Sequence, residues 1–184
     1  MRKALLLAFA VASVFTSVVG AQVRMDLRIN VAPPPARVEV IPPAPSPEHY
    51  WIAGHWQYEG NQHVWVAGHW EAPRAGEFWV RPFWLREGDA WVFHPGRWIK
   101  VAPPAEFVRV AVNTRPPLPR AERVPPQPSI EDFWVPGFWR WESGGFVWVE
   151  GRWERHRPDA VWIQAHWMRA GNVWEFVGGH WQRI

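Results

Sequence analysis

The sequence predicts an all-β protein: two tandem copies of a short-stranded antiparallel meander with cross-strand tryptophan rows, joined by proline-rich extended arms. Three observations predict this fold class. The tryptophans recur at one constant offset, the one that carries Trp51 onto Trp134. The chain is rich in residues that interrupt helices and form turns, with 14 Gly and 20 Pro in 184 residues. No stretch of the mature chain keeps the apolar periodicity of an amphipathic helix.

The duplication is clearest in the tryptophans. Eight of them in the first half map without a gap onto eight in the second: Trp51, Trp56, Trp65, Trp70, Trp79, Trp84, Trp91 and Trp98 onto Trp134, Trp139, Trp148, Trp153, Trp162, Trp167, Trp174 and Trp181. The remaining one, Trp141, matches Tyr58. Residues 31–101 align with 114–184 at the same offset. The same structure is therefore expected twice.

The start of the chain has the three parts of a secretory signal peptide. A basic Met1-Arg2-Lys3 precedes an apolar stretch over 4–19, and small residues follow up to Ala21. We expect a signal peptide over 1–21, cleavage after Ala21 and a mature chain beginning at Gln22. The apolar stretch is shorter than the ~20 residues a membrane span needs, so an uncleaved anchor is the weaker alternative. The protein is expected in the periplasm, the cell envelope or the extracellular medium, with no transmembrane segment in the mature chain.

Cysteine content and charge limit how the protein can be stabilised and which partners it can bind. The chain has no cysteine, so an exported protein this small must be held by packing alone. Its formal charge is +3, from 20 basic and 17 acidic residues. Removing Arg2 and Lys3 with the signal leaves 18 basic against 17 acidic residues, and the arginines are spread over both halves. A nucleic-acid partner is therefore not expected, since it would require a concentrated basic patch.

The arms precede each tryptophan-rich unit. We assign 22–48 to the first arm, 49–101 to the first unit, 102–131 to the linker and 132–184 to the second unit. Proline excludes helix and interior strand from most of the arms, which should be extended spacers resembling polyproline II. Two short strands are predicted, an edge strand over 37–40 and a strand over 107–112.

Within each unit, the Trp-x-x-Gly-x-Trp segments indicate hairpins. A two-residue turn at Ala53-Gly54 or Pro136-Gly137 would place Trp51 opposite Trp56. Further pairs are then expected across four-residue loops: Trp56 with Trp65, Trp70 with Trp79, Trp84 with Trp91, and the equivalent pairs of the second copy. Every strand would place one indole on a single face of the sheet, where aromatic pairs stabilise it.

The indole row has two interpretations. It could be the core, because a small unit without disulfides cannot leave its largest apolar side chains in water. Alternatively, a partly exposed subset could stack on sugars, with Arg74, Arg81, Arg86 and Arg157 holding acidic groups. The opposite face is mixed, with Val64, Val66, Phe78 and Val80 on alternate strands and histidines on the others.

These repeats resemble the WXXGXW (YXWGXW) family of exported bacterial proteins, and the resemblance covers about three quarters of the chain. The residues that carry it are Trp51, Gly54, Trp56, Trp65, Gly68, Trp70, Trp134, Gly137, Trp139, Trp148, Gly151 and Trp153. The copies that begin at Trp91 and Trp174 depart from the motif, with six residues instead of four between the tryptophans. The resemblance implies export and a repeat architecture, and it transfers no catalytic residue.

Histidine and carboxylate patterns suggest no catalytic site. His55, His69 and His180 follow a turn glycine, and His166 follows Ala165, so these four are the candidate metal ligands. The same position holds Arg97, Phe138 and Arg152 elsewhere, which favours ordinary polar-face histidines over a metal site. The acids Glu59, Glu142, Glu71 and Glu154 recur as loop and strand-edge charges, and no catalytic motif is present.

We therefore expect a non-enzymatic structural or interaction protein of the bacterial cell envelope, with no cofactor. Its expected partner is an envelope polysaccharide or another envelope protein. One alternative is a module that binds an envelope glycan, peptidoglycan or lipopolysaccharide, through partly exposed tryptophan and arginine. A second is a protein associated with a lipid surface or binding a metal through histidine.

Overall fold

The structure is a computed structural model that describes residues 27–100 and 110–183. Within these ranges it contains twenty short strands and no helix. All pairings are antiparallel. The predicted all-β class with short antiparallel strand pairs is confirmed. The predicted signal peptide, its cleavage site after Ala21 and the first three residues of the predicted 107–112 strand lie outside the described residues.

The two copies contain equivalent strands. In the first copy they are β1 (Leu27–Ile29), β2 (Val40–Ile41), β3 (Tyr50–Ile52), β4 (His55–Glu59), β5 (Gln62–Val66), β6 (His69–Glu71), β7 (Phe78–Val80), β8 (Phe83–Glu87), β9 (Ala90–His94) and β10 (Arg97–Ile99). In the second they are β11 (Val110–Val112), β12 (Glu122–Arg123), β13 (Asp132–Val135), β14 (Phe138–Glu142), β15 (Gly145–Val149), β16 (Arg152–Arg155), β17 (Ala160–Ile163), β18 (His166–Ala170), β19 (Val173–Val177) and β20 (His180–Arg183).

Strands within a copy pair in a nested order. β3 pairs with β6 around the β4–β5 pair, and β7 pairs with β10 around the β8–β9 pair. Trp51 lies opposite Trp70 and Trp56 opposite Trp65, so one register runs through both pairs. Each nest is therefore one long hairpin with a two-residue break in each strand. We call these hairpin 1 (50–71), hairpin 2 (78–99), hairpin 3 (132–155) and hairpin 4 (160–183).

The predicted turns at Ala53-Gly54 and Pro136-Gly137 are wrong, because these residues form the breaks. Trp51 consequently faces Trp70 instead of Trp56, and Trp79 faces Trp98 instead of Trp70. The chain reverses at the hairpin tip, where Gly60 and Asn61 have φ values of 55° and 66°. Two consecutive positive φ values define a type I′ turn, whose twist matches that of the flanking strands. The break residues lack that conformation.

Two of the predicted pairs have the right partners and two are displaced. Trp56 lies opposite Trp65, and Trp139 lies opposite Trp148, as predicted. Trp84 lies opposite Phe93 instead of Trp91, and Trp167 lies opposite Phe176 instead of Trp174. The difference is two residues, so every side chain stays on its expected face. The cause is a tight two-residue turn that begins at Gly88, with φ 62°, where a four-residue loop was predicted.

The nested order contains a shorter repeat that the tryptophan series concealed. Hairpin 2 matches hairpin 1 without a gap, so that Trp51, Trp56 and Trp70 meet Trp79, Trp84 and Trp98. Phe93 replaces the fourth indole, Trp65. The fold is thus one hairpin repeated four times, in two copies of two.

The two copies share their core. Phe78 and Val80 of β7 pack with Val161 and Ile163 of β17 in one buried cluster that includes Val177. The arms meet as well, since β2 pairs with β12. This pairing helps to bury a second cluster, which contains Ile41, Trp51 and Val124. The arms therefore join the copies as part of the packed structure.

Two further strands extend the hairpins. β1 adds to the edge of hairpin 2 by pairing with β9, and β11 adds equivalently to β19 of hairpin 4. The predicted 107–112 strand is thus confirmed over Val110–Val112. The predicted 37–40 strand is observed only at its end, as Val40–Ile41. Across the described ranges, no helix is long and apolar enough to cross a membrane.

Candidate functional site

The break in hairpin 1 is occupied by a carboxylate from the arm. Glu39 Oε2 accepts the backbone N–H of Gly54 at 3.1 Å, and Glu39 Oε1 accepts that of Gly68 at 2.9 Å. Oε1 also accepts the indole N–H of Trp65 at 3.3 Å. The two strands separate at this level, and the carboxylate satisfies backbone donors that would otherwise lack a partner.

Hairpin 3 repeats the arrangement with Glu122. Its carboxylate accepts the N–H of Gly137 at 3.0 and 3.1 Å and that of Gly151 at 3.2 Å. Burial raises the pKa of Glu122, although the two N–H donors act in the opposite direction. Glu39 and Glu122 are equivalent in the duplication. Their importance was not predicted, although both matched in the alignment of the arms.

The motif glycine is required by close packing instead of by a turn. A Cβ on Gly68 would collide with Cζ2 of Trp51, with the Glu39 carboxylate and with the backbone nitrogen of Gly54. A Cβ on Gly151 would collide with Trp134 in the same way. Only glycine lets the edge of the indole and the carboxylate approach this backbone together.

The indoles form cross-strand pairs on either side of each break. In hairpins 1, 2 and 4, four Trp–Trp and two Trp–Phe pairs flank the breaks, with ring centroids 5.1 to 5.5 Å apart. They are Trp51–Trp70, Trp56–Trp65, Trp79–Trp98, Trp84–Phe93, Trp162–Trp181 and Trp167–Phe176. Trp134–Trp153 and Trp139–Trp148 repeat them in hairpin 3. Trp51, Trp84, Trp167 and Trp174 are buried, and the other indoles are half-buried. The indole rows therefore contribute to the packing of the hairpins.

Indole N–H groups attach the arms and neighbouring hairpins to the rows. Trp56 donates to the carbonyl of Pro35 at 3.0 Å, and its equivalent Trp139 donates to Leu118 at 2.9 Å. Trp84 donates to the carbonyl of Trp56 at 2.9 Å, which links hairpin 2 to hairpin 1. The polar atom of these side chains is thus used inside the fold.

Arginines cover indole faces that the rows leave open. Arg37 lies 5.0 Å from the ring centroid of Trp56, and its equivalent Arg120 lies 4.7 Å from that of Trp139. Arg74 covers Trp98 at 4.7 Å, and Arg157 covers Trp181 at 4.8 Å. A guanidinium stacked on an indole gains cation–π energy. It also occupies the surface on which a sugar ring would stack.

The four candidate metal ligands lie in two separate pairs. His55 and His69 each begin the strand that follows a break in hairpin 1. His166 and His180 do the same in hairpin 4. Burial, with the charge of His69 acting in the same direction, lowers the pKa of His55. Among the described residues no three His, Asp or Glu side chains come together as a metal site. His166 and His180 are buried, so the interpretation as polar-face histidines is wrong for this pair.

A cleft lies between the two copies, and it was not predicted. It is lined by the first arm, hairpins 1 and 2, the second arm and hairpin 3, and its interior volume is about 100 Å³. Arg81 lies in the break of hairpin 2 and lines this cleft with Phe83, Phe133 and His156. Burial lowers the pKa of Arg81 to about 9, which still leaves the guanidinium charged at neutral pH. No sequence signal brings these residues together, because they come from different copies.

Comparison with known proteins agrees with this architecture. The family model described as WXXGXW repeat (2 copies) matches residues 49–71, 133–154 and 157–182. The chain carries repeats of the WXXGXW family. The matched segments correspond to hairpins 1, 3 and 4, and hairpin 2 has the same strand order without a match. No curated protein and no solved structure matches the chain.

Proposed function

We propose that this protein, which carries WXXGXW repeats, is an exported, non-enzymatic structural and interaction protein of the bacterial cell envelope. One observation carries the proposal. The backbone N–H groups of the motif glycines are used within the fold, as in hairpin 1, where the Glu39 carboxylate accepts those of Gly54 and Gly68. A motif used in this way stabilises a rigid repeat and leaves few of its groups for chemistry.

The recurring acids support a non-enzymatic role. Glu142 pairs with Arg140 at 2.6 Å, and Glu154 pairs with Arg152 at 3.3 Å. These are partly exposed ion pairs between neighbouring positions of one strand, and such pairs contribute modestly to stability. Acids so engaged are suited to a soluble, regular surface on which another envelope component can dock.

Export rests on the basic residues, the apolar stretch and the small residues at the start of the sequence. The test is to produce the full-length chain with a C-terminal tag in a Gram-negative bacterium, separate the fractions and sequence the N-terminus by mass spectrometry. We expect a chain beginning at Gln22 in the periplasm or medium. An uncleaved chain confined to the cytosol would contradict the proposal, and an uncleaved chain in the membrane would indicate an anchor.

The competing glycan and lipid alternatives predict open indoles. The stacking of Arg37, Arg74, Arg120 and Arg157 on tryptophan faces favours the scaffold instead. Intrinsic tryptophan fluorescence distinguishes the scaffold, glycan-binding and lipid-binding roles when the protein is titrated with peptidoglycan fragments, lipopolysaccharide and anionic vesicles. We expect no blue shift with any of them. A saturable blue shift with one ligand would instead assign the rows to it.

A further inference from the structure

The strongest unexplained feature of the molecule is the charge of Arg81. Its position in the break of hairpin 2 corresponds to Ala53 in hairpin 1, Pro136 in hairpin 3 and Gln164 in hairpin 4. Hairpin 2 alone therefore places a charged residue at this position of the break. The side chain enters the cleft between the copies, where aromatic rings surround it.

The Arg81 guanidinium is stacked and has few polar partners. It lies 3.6 Å from the ring centroid of Phe133 and 5.8 Å from that of Phe83. Nη1 donates to the carbonyl of Pro82 at 3.3 Å. No described carboxylate forms an ion pair with it. Stacking uses the faces of the guanidinium, so most of its five in-plane N–H donors remain for an acceptor.

The acids that line the cleft have other roles. Glu39 is held by Gly54, Gly68 and Trp65. Asp132 pairs with Arg155 at 3.2 Å. Glu131 is exposed. A cation at least partly removed from water without a counter-charge is costly, so an anion entering the cleft would relieve a cost already present.

Two residues that line the same cleft have buried polar atoms without a partner. The indole nitrogen of Trp153 is buried without a hydrogen-bond partner, whereas its equivalent Trp70 donates to Pro42 at 3.0 Å. Nε2 of His156 is also buried and unpartnered. Buried polar atoms normally have partners, and those without one require an explanation. Both residues line the cleft with Arg81.

We propose that the cleft between the two copies is a carboxylate-binding site, in which Arg81 holds the anionic group and the surrounding rings hold a flat, C–H-rich body. The planar donor edge of a guanidinium fits a carboxylate through two parallel hydrogen bonds. The interior volume of about 100 Å³ exceeds what one water molecule requires and accommodates the carboxylate with the edge of a ring.

The charges of the cleft disfavour a dianion relative to a monoanion. Arg81 and Arg37 contribute two positive charges, and Glu39, Glu131 and Asp132 contribute three negative ones. His156 is neutral at physiological pH, because burial, with Arg81 and His94 acting in the same direction, lowers its pKa to about 4. Burial also lowers the pKa of His55. A phosphate dianion would meet more repulsion here than a carboxylate does.

The duplication provides an internal comparison. Arg81, Phe133 and His156 of the cleft correspond in the other copy to Gln164, Tyr50 and Pro73. Gln164 uses its backbone carbonyl to accept from Nδ1 of His166 at 2.9 Å. The scaffold therefore tolerates glutamine at this level of a break, which makes Arg81→Gln a conservative test.

Isothermal titration calorimetry tests the proposal with four probes: glucuronate, benzoate, acetate and inorganic phosphate. We expect the two ring carboxylates to bind wild type with Kd values around millimolar, more tightly than acetate or phosphate. Arg81→Gln should weaken binding roughly tenfold or more. Arg74→Gln, which removes an exposed arginine stacked on Trp98, is the matched control and should bind within about twofold of wild type.

Several results would overturn the proposal: no binding of either ring carboxylate, phosphate binding in their place, or equal binding by wild type and Arg81→Gln. A second experiment uses only the wild-type protein, so it does not depend on whether Arg81→Gln folds. NMR titration of His156 with and without saturating glucuronate or benzoate should show its pKa rising on binding, because an anion then lies beside it. An unchanged pKa would count against the site. These outcomes are independent of the envelope role proposed above.

Discussion

The Glu39 carboxylate accepts a hydrogen bond from the backbone N–H of Gly68 at 2.9 Å, although Glu39 lies 29 residues earlier in the chain. The bond joins a proline-rich arm to the middle of a tryptophan hairpin. With the equivalent bond from Gly54, it holds the two strands where their own ladder is interrupted. The arm, the motif glycine and the indole pairs are therefore one structural unit, which has direct consequences for mutation.

Glu39→Gln should lower the free energy of unfolding by about 1–3 kcal/mol, because charge-assisted bonds are replaced by weaker neutral ones and the amide NH₂ faces backbone donors. Urea midpoints measure the effect. The control is Glu59→Gln at the exposed tip of hairpin 1, which should remain within about 0.5 kcal/mol of wild type. Equal midpoints for the two variants would show that the carboxylate contributes little.

Gly68→Ala should destabilise the protein by about 1–3 kcal/mol, since its Cβ would collide with Trp51, Glu39 and the backbone of Gly54. Gly145→Ala is the matched control, because a Cβ there meets no atom within 4 Å and φ is not positive. Thermal unfolding of both variants by near-ultraviolet circular dichroism checks the difference. A Gly68→Ala protein as stable as Gly145→Ala would mean that the break relaxes freely.

Trp65→Ala or Trp148→Ala should cost about 3 kcal/mol, near the lower end for core tryptophans because both are half-buried. Each loses a cross-strand partner 5.1 or 5.2 Å away, and Trp65 also loses its bond to Glu39. His55→Ala and His69→Ala should cost under about 1 kcal/mol. The urea midpoints of the four variants measure these losses of stability. Wild-type stability with lost glycan binding in the tryptophan variants would make the indoles a ligand platform.

His166 should make stability depend on pH. Burial lowers its pKa from 6.5 to about 4, with His180 acting in the same direction and the backbone bond to Gln164 opposing it. Below pH 6.5 the unfolded chain takes up a proton that the folded protein does not, so stability is lost as the pH falls toward 4. The loss from this group is on the order of a few kcal/mol.

His166→Phe, which copies the equivalent Phe83, should remove this part of the pH dependence. Urea unfolding at several pH values between 7 and 4 measures it, with His69→Phe at an exposed position as the control. We expect the control to follow the wild-type profile and His166→Phe to be flatter. Parallel profiles for wild type and His166→Phe would assign the pH dependence to other groups.

Local pattern was sufficient for some of the pairing and not for the rest. Trp56 and Trp65 were predicted as partners because the sequence between them forms a compact hairpin with few alternatives. Trp51 and Trp70 were missed, because Ala53-Gly54 fits a turn as well as a break. In the structure this segment forms a break, and the Glu39 carboxylate, which comes from outside the motif, accepts the N–H of Gly54 there.

The sequence by itself determined the secondary-structure class, the duplication and the faces on which the indoles lie. These follow from composition, from the constant offset between equivalent tryptophans and from the alternation of side chains along a strand. The tertiary structure decided the nested order of the strands, the bridges made by Glu39 and Glu122, and the cleft at Arg81. Those features depend on contacts between segments far apart in the chain. Their free energy comes from packing and hydrogen bonding across the whole fold, which no local stretch of residues encodes.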